Sequence, residues 1–332
     1  MKSSRNSWAA VSLLAVTTMM APMAIFGALP NPKEGNDQEK RTPASQTTSA
    51  DKNHSSPHGG AGKSEYWMPN STHPAWTGAG LPIEQASSKV GNLSGNAAKG
   101  RDHYRRYCIG CHGPLGNGEG ENAQWIEPKP RDFTEGTFRC RSTPTGELPT
   151  DQDLYNTISR GLVTTNMPSW IALSDQDKVD LIAYIKIFSS KWKNTERAAP
   201  IQIPAETPLT VDSLQRGHET FEKMQCFKCH GQQGHGDGPA ASTLTNSKDQ
   251  PIRPYDFSDG ERFKCGATNK DIYRDFMTGL DGSPMPSFAE QMKPEEAWDL
   301  VHYLRTLMVH VDSPERRLMI QNHLQFKNDS GE

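Results

Sequence analysis

Two thirteen-residue stretches constrain this chain more than anything else in it: CIGCHGPLGNGEG, Cys108 to Gly120, and CFKCHGQQGHGDG, Cys226 to Gly238. Both cysteines, the histidine behind them and the glycines Gly113, Gly116, Gly118 and Gly120 recur at an offset of 118 residues. An offset held over that many positions marks a duplicated unit. The 332 residues therefore read as two ordinary domains rather than one large one.

A histidine directly after C-x-x-C is the signature of covalent haem attachment. Two thiols three positions apart on a helical turn can add to the two vinyl groups on one edge of a porphyrin, and the adjacent imidazole then faces the iron. A thioredoxin-like pair would want a βαβ setting and makes no use of the histidine. A zinc site would want a second ligand pair at finger-like spacing. Neither setting is present in the sequence. Cys108 and Cys111, then Cys226 and Cys229, are expected to hold two covalently bound haem c groups, with His112 and His230 on the irons. A sixth ligand is offered by Met167 in TTNMPSW and Met285 in GSPMPSF, each 59 residues after the first motif cysteine. Methionine is ordinarily core filler. These two sit in loops broken by Pro168 and Pro286, which stiffen the chain around the thioether, so axial ligation is expected of both. The glycine run lacks the Gly-Lys-Ser/Thr of a phosphate loop and is expected to carry backbone around the haem edge. His235 has Asn117 as its counterpart and is read as a surface histidine.

Hydrophobic content is only 34%, and part of that deficit lies near the N-terminus. Lys2 and Arg5 precede an uncharged, mostly apolar run from Trp8 to Leu29. Its 22 residues suit a retained membrane anchor or a cleaved signal peptide, and residues 1–30 are assigned to one or the other. Both readings put the rest of the chain outside the cytoplasm, in the periplasm, either free or tethered through residues 8–29. Residues 31–90 are expected to be a flexible, low-complexity tether, with His54 and His58 as solvated histidines.

The first domain is assigned to 91–192, a proline-rich linker to 193–204, the second domain to 205–312 and a polar tail to 313–332. Ser94 or Asn96 can cap a helix over AAKGRDHYRRY, and Ser174 a closing helix with Val179, Ile182 and Ile185 as its apolar stripe. In the second half Pro294 suits the first turn of the closing helix. Shorter helical pieces are expected over DQDLYNTISRG and NKDIYRDFMTG. No alternating strand pattern of useful length occurs, so the class is all-α.

Each half resembles a class I cytochrome c domain. The resemblance rests on the C-x-x-C-H motifs and M-P-S-aromatic loops. It extends to Gly100 with Tyr104 and Gly217 with Phe221 ahead of the motifs, and to Tyr184 and Tyr303 in the closing helices. It spans roughly 200 of the 332 residues. It implies that the first and last helices of each half cross at the glycine, that the four motif cysteines are thioether sites, and that His112 and His230 are proximal and Met167 and Met285 distal ligands. It also places KPRDF and IRPYDF against the haem, with Arg131 and Arg253 as propionate partners. Cys140 and Cys265 stand at comparable places in the two halves. They can be read as two buried thiols, as thiolate ligands or as a disulfide between domains; the disulfide is the preferred expectation.

Two irons with histidine on one side and methionine on the other leave no open position, so the expected function is transfer of single electrons between a redox protein donor and acceptor in an extracytoplasmic respiratory chain. An electron carrier rather than an enzyme is expected. The alternatives are a dihaem enzyme of peroxidase or thiosulfate-oxidising type, or the electron-transfer subunit of a larger oxidoreductase or respiratory complex. A formal charge of -3 and pI near 6.4 argue against nucleic acid as a partner. Residues 91–192 hold 12 acids and 12 bases, whereas 205–312 hold 17 acids against 11 bases, so a partner docking on the second half is expected to be basic there, with rates that fall as salt is added.

Overall fold

The computed structural model describes residues 80–194 and 196–326. The assignments made for residues 1–30, for most of the tether and for His54 and His58 lie outside the described residues. Among the described residues no helix is long and apolar enough to cross a membrane.

Each half is built on two crossed helices. In the first, α1 (Ala97–Tyr107) starts at Asn96, whose side chain accepts from the Lys99 amide at 3.0 Å. A single turn, α2 (Ile109–His112), follows, then α3 (Asp151–Arg160) and α4 (Asp175–Ile185), the last capped by Ser174. In the second half α5 (Val211–Lys223), the single turn α6 (Phe227–His230), α7 (Asn269–Thr278) and α8 (Pro294–Leu307) repeat the order. Thr150, Thr210 and Thr268 close capping boxes on α3, α5 and α7, so the orphan amides of each first turn are satisfied locally. Helix α1 crosses α4 at Gly100, where a Cβ would collide with the Asp180 carbonyl; α5 crosses α8 at Gly217, where it would collide with that of Asp299. Around the first crossing Tyr104 packs on Tyr184 and Phe188, each at 5.2 Å between ring centroids. Around the second Phe221 packs on Tyr303 at 5.4 Å. Tyr104, Ile182, Tyr184 and Trp192 form one core, and Phe221, Tyr273, Trp298 and Val301 the other.

Two segments depart from the sequence reading. The end of the assigned tether forms an antiparallel hairpin, β1 (Ser87–Val90) with β2 (Leu93–Asn96), in an otherwise helical fold. Polar groups hold it there: Ser88 Oγ donates to Val179 O at 2.6 Å, the Lys89 amide to Asp151 at 2.7 Å, and Lys186 Nζ to Ser87 O at 2.8 Å. Strands four residues long, anchored through backbone rather than an apolar face, leave no period-two signal. The assigned polar tail likewise contains α9 (Pro314–Gln321), capped by Ser313 and packed on α8. Beyond it Phe326 stacks on His218 at 5.1 Å and meets Tyr303 edge-on at 5.0 Å.

The halves are joined by a disulfide between Cys140 and Cys265, with Cα atoms 5.0 Å apart. The bond excludes the readings of these cysteines as buried thiols or thiolate ligands. Two insertions surround it. Counted from Gly120 to Phe133 and from Gly238 to Phe257, the second half is six residues longer. Counted from the disulfide cysteine to the threonine that caps the next helix, the first half is seven residues longer. Each insertion reaches across. From that of the first half, Arg141 pairs with Asp281 at 2.8 Å and donates to Thr278 O at 2.6 Å. From that of the second half, Lys248 pairs with Asp132 at 3.0 Å and Glu135 at 3.2 Å.

Asp275, on α7, is the carboxylate with the largest expected pH signature. Burial pushes it from 3.8 up to about 6, against the pull of Arg274 at 2.8 Å and of Arg160, and with the repulsion of Asp271. A carboxyl raised in the fold contributes stability at pH below its unfolded value and loses it as pH climbs through the folded one. Asp275→Asn is therefore expected to gain on the parent protein between pH 4 and 7, by at most about 3 kcal/mol for a shift of this size. Thermal unfolding of both proteins across that range checks it, and parallel curves refute it.

Candidate cofactor sites

In each half the crossing helix delivers the chain into the C-x-x-C-H turn. The His112 amide donates to Cys108 O at 2.9 Å and the His230 amide to Cys226 O at 2.9 Å, so the thiols and the imidazole of each motif share one helical turn. Gly113 and Gly231 end these turns, both at φ 76, where a side chain would be strained. The chain then folds back on itself: the Gly118 amide returns to His112 O at 3.0 Å, and that of Gly236 to His230 O at 2.8 Å. These bonds give the glycine runs a physical role, since the returning backbone lies directly on the motif.

The two imidazoles are oriented alike. His112 Nδ1 lies 3.0 Å from Arg131 O, and His230 Nδ1 lies 3.0 Å from Tyr255 O. A carbonyl only accepts, so Nδ1 carries the proton and Nε2 keeps its lone pair, the tautomer a metal requires. Phe133 stacks on His112 at 4.4 Å between centroids, and Phe257 on His230 at 4.8 Å. Burial lowers the pKa of both histidines, with the bond to the carbonyl opposing it, which favours neutral imidazole. Burial also pushes the Cys108 and Cys226 thiols up to about 12.

The methionine loops match bond for bond. The Leu162 amide donates to Met167 O at 3.0 Å and the Leu280 amide to Met285 O at 3.1 Å. The amide of Met167 reaches Thr165 Oγ1 at 3.1 Å, and that of Met285 reaches Ser283 Oγ at 3.4 Å. Ser169 and Ser287 then tie each loop back to the preceding helix through Ser159 O and Met277 O, both at 2.6 Å. Both methionines are half-buried.

Arg131 and Arg253, the two expected propionate partners, do not stand at equivalent positions. The residue equivalent to Arg131 is Tyr255, because the six-residue insertion shifts the register to P-R-D-F against P-Y-D-F. The group that faces His112 is the Arg131 carbonyl, and Arg253 is exposed. Arg139 and Lys264, each beside a disulfide cysteine, escaped the sequence reading. The basic residue before cysteine in FRC and FKC was their signal. The Arg131, Arg139 and Lys264 side chains form a cationic group: burial lowers all three, and Arg131 and Arg139 further depress Lys264. The Arg139 Nε is buried without a protein partner. His235 pairs with Asp256 at 3.5 Å on the surface, as its unmatched counterpart Asn117 suggested. Among the described residues no group of three or more His, Cys, Asp or Glu could hold a separate metal ion.

Residues 95–185 match the family described as Cytochrome C oxidase, cbb3-type, subunit III, and residues 214–308 match the family Cytochrome c. No curated protein matches the chain. Among solved structures it is similar to a chain of the Kuenenia stuttgartiensis reducing HAO-like protein complex. The two are 38% identical with a TM-score of 0.61, over 63% of this chain and 95% of that one. This chain is a multi-domain c-type cytochrome. The family places covalently bound haem c in the cytochrome and makes electron transfer its function. Each matched range of the cytochrome contains one C-x-x-C-H motif and one M-P-S loop.

Proposed function

We propose that the cytochrome is a dihaem electron carrier of the extracytoplasmic space, passing single electrons to or from a larger oxidoreductase. Cys108 with Cys111 and Cys226 with Cys229 hold the two porphyrins. His112 and Met167 ligate one iron, and His230 and Met285 the other. Haem c supplies an iron that changes oxidation state by one electron, and Met/His ligation sets its potential high. The chain's own residues do the rest. Arg131 O and Tyr255 O fix the imidazole tautomer, and Leu162 and Leu280 hold the methionine backbones. Arg131, Arg139 and Lys264 offer positive charge to carboxylates such as propionates, and the orphaned Arg139 Nε fits an acceptor that the protein does not itself provide.

The observation that carries this reading is the identity of the two ligand shells. A dihaem enzyme of peroxidase or thiosulfate-oxidising type needs one iron open or unusually ligated, so its halves should differ at the motif or the methionine loop; here the same bonds recur in both. A disulfide between halves suits an oxidising compartment. Membership of a complex in the similar Kuenenia stuttgartiensis chain supports a large redox protein as partner.

The test is ligand exchange at iron. The purified protein is expected to carry two covalent haems, to show the methionine–iron charge-transfer band in its oxidised form and to leave carbon monoxide unbound when reduced. Met167→Ala and Met285→Ala should each halve the band and admit one carbon monoxide per molecule. Rapid turnover of peroxide or thiosulfate by the parent protein would replace the carrier with an enzyme.

A further inference from the structure

The methionine loops are internally alike but externally unlike. The loop of the second half is gripped at its entry by the first half. Arg141, 1% exposed, donates through Nη2 to Thr278 O at 2.6 Å and through Nη1 to Gly279 O at 3.3 Å. Its Nη2 also lies 2.8 Å from Asp281 Oδ1. The same carboxylate accepts from Thr145 Oγ1 and from the Gly146 amide, both at 2.9 Å. Arg139 Nη2 donates to Gly282 O at 3.2 Å. Residues 278, 279, 281 and 282 are thus each bonded from the other half, and residue 280 between them binds Met285 O. The Met167 loop has no such grip: among the described residues no hydrogen bond from the second half reaches residues 160–164, and Val163, the counterpart of Asp281, is 41% exposed. The residue after Cys265 is Gly266, where Arg141 follows Cys140.

We propose that Arg141, supplied by the first half, is a positioning residue for Met285 as the sixth ligand in the second half. This rests on the assignment of Met285 as an axial ligand made above. A loop that must hold a thioether on iron opens by local unfolding, and its opening free energy rises with every bond that opening must break. Arg141 ties the carbonyls at the end of α7 to the carboxylate two residues on, and so fixes the entry of the loop. The guanidinium suits this role because its rigid planar fork spreads five donors over separated acceptors, whereas a lysine offers three from a single nitrogen. Removing it leaves Thr278 O without its donor and takes one bond each from Gly279 O and the Asp281 carboxylate. The two centres then differ in a defined way: the first keeps its methionine through its own half, whereas the second keeps it through both.

The experiment uses the full-length holoprotein as Arg141→Gln, Arg141→Lys and Met285→Ala, each checked for two covalent haems. R141Q is expected to lose up to half of the methionine–iron band and to bind up to one carbon monoxide per molecule. One of its two midpoint potentials should fall while the other holds. R141K should recover part of the band, which a purely structural loss would not show. Should R141Q fail to accumulate, Asp281→Asn removes the opposite end of the same pair and is expected to shift the same band in the same direction. An undiminished band with no carbon monoxide uptake in R141Q, beside a halved band in M285A, overturns the proposal. If M285A itself keeps the full band, the ligand assignment fails instead.

Discussion

Replacing either crossing glycine is expected to abolish accumulation of the red holoprotein. At Gly100 the added Cβ of alanine meets the Asp180 carbonyl oxygen and carbon and the Cβ of Tyr184; at Gly217 it meets the Asp299 carbonyl and the Cβ of Tyr303. The obstacle is backbone, and no rotamer change removes it. Helix α4 or α8 must move away, and with it Tyr184 or Tyr303 from the aromatic cluster over the motif. Overpacking in a well-filled core typically costs about 1–3 kcal/mol, and a clash with a buried helix backbone belongs at or beyond the upper end. The crossing also delivers Cys108 or Cys226 to its place, so the loss extends to haem attachment. Gly100→Ala and Gly217→Ala, with covalent haem counted per chain, check this. Full occupancy and an unfolding midpoint equal to that of the parent would refute it.

Breaking the disulfide is the second large effect. Cys140 and Cys265 are 125 residues apart, and closing a loop of that length restricts the unfolded chain by about 4–5 kcal/mol in the entropic account. The Cys140→Ser, Cys265→Ser pair is expected to lose a large part of that in denaturant unfolding while keeping both haems, because the motif turns are formed within each half. The effect should not end at stability. Arg139 and Arg141 flank Cys140, and both grip residues 278–282, so the reduced protein is expected to show the R141Q signature in weaker form. Unfolding curves that superimpose with those of the disulfide-bonded protein would refute the first part.

The acid range offers a control on the interface. Burial tends to raise Asp132, but its bonds from Thr134 and Lys248 outweigh burial and hold it below the ordinary carboxylate range. Such a group contributes stability above its unfolded value and loses it as pH falls through the folded one. The Lys248 bridge is therefore intact across the neutral window in which the variants above are compared.

What could be read from the sequence, and what could not, divides along the offset. The motif turns, the methionine loops and the crossing glycines were legible because each needs particular residue types: a left-handed glycine, a thioether, a residue without Cβ. The interface was hidden by compensation. The second half gains six residues before Phe257 and one more before Cys265, then lacks seven before Thr268, so the register returns to 118 at Met285 as though nothing had intervened. Arg131 and Arg253 fall inside that interval, where the 118 offset no longer matches equivalent residues. The carbonyls of Arg131 and Tyr255 carry no side-chain signature at all, since any residue can supply a carbonyl. The hairpin at 87–96 and α9 were missed for a related reason: their attachments run through backbone amides, hydroxyls and caps rather than a periodic apolar face.

Arg141 also determines whom the first half can accept. Suppose two copies of that half met across Cys140 in the manner of the present pair. Each Arg141 would then point at Arg160, Gly161 and Val163 in place of Thr278, Gly279 and Asp281. A buried guanidinium would face an aliphatic side chain where it now meets the Asp281 carboxylate, with a second cation beside it, an arrangement that desolvation disfavours. The repeated halves are thus not interchangeable at their seam: one member carries the key and the other the lock.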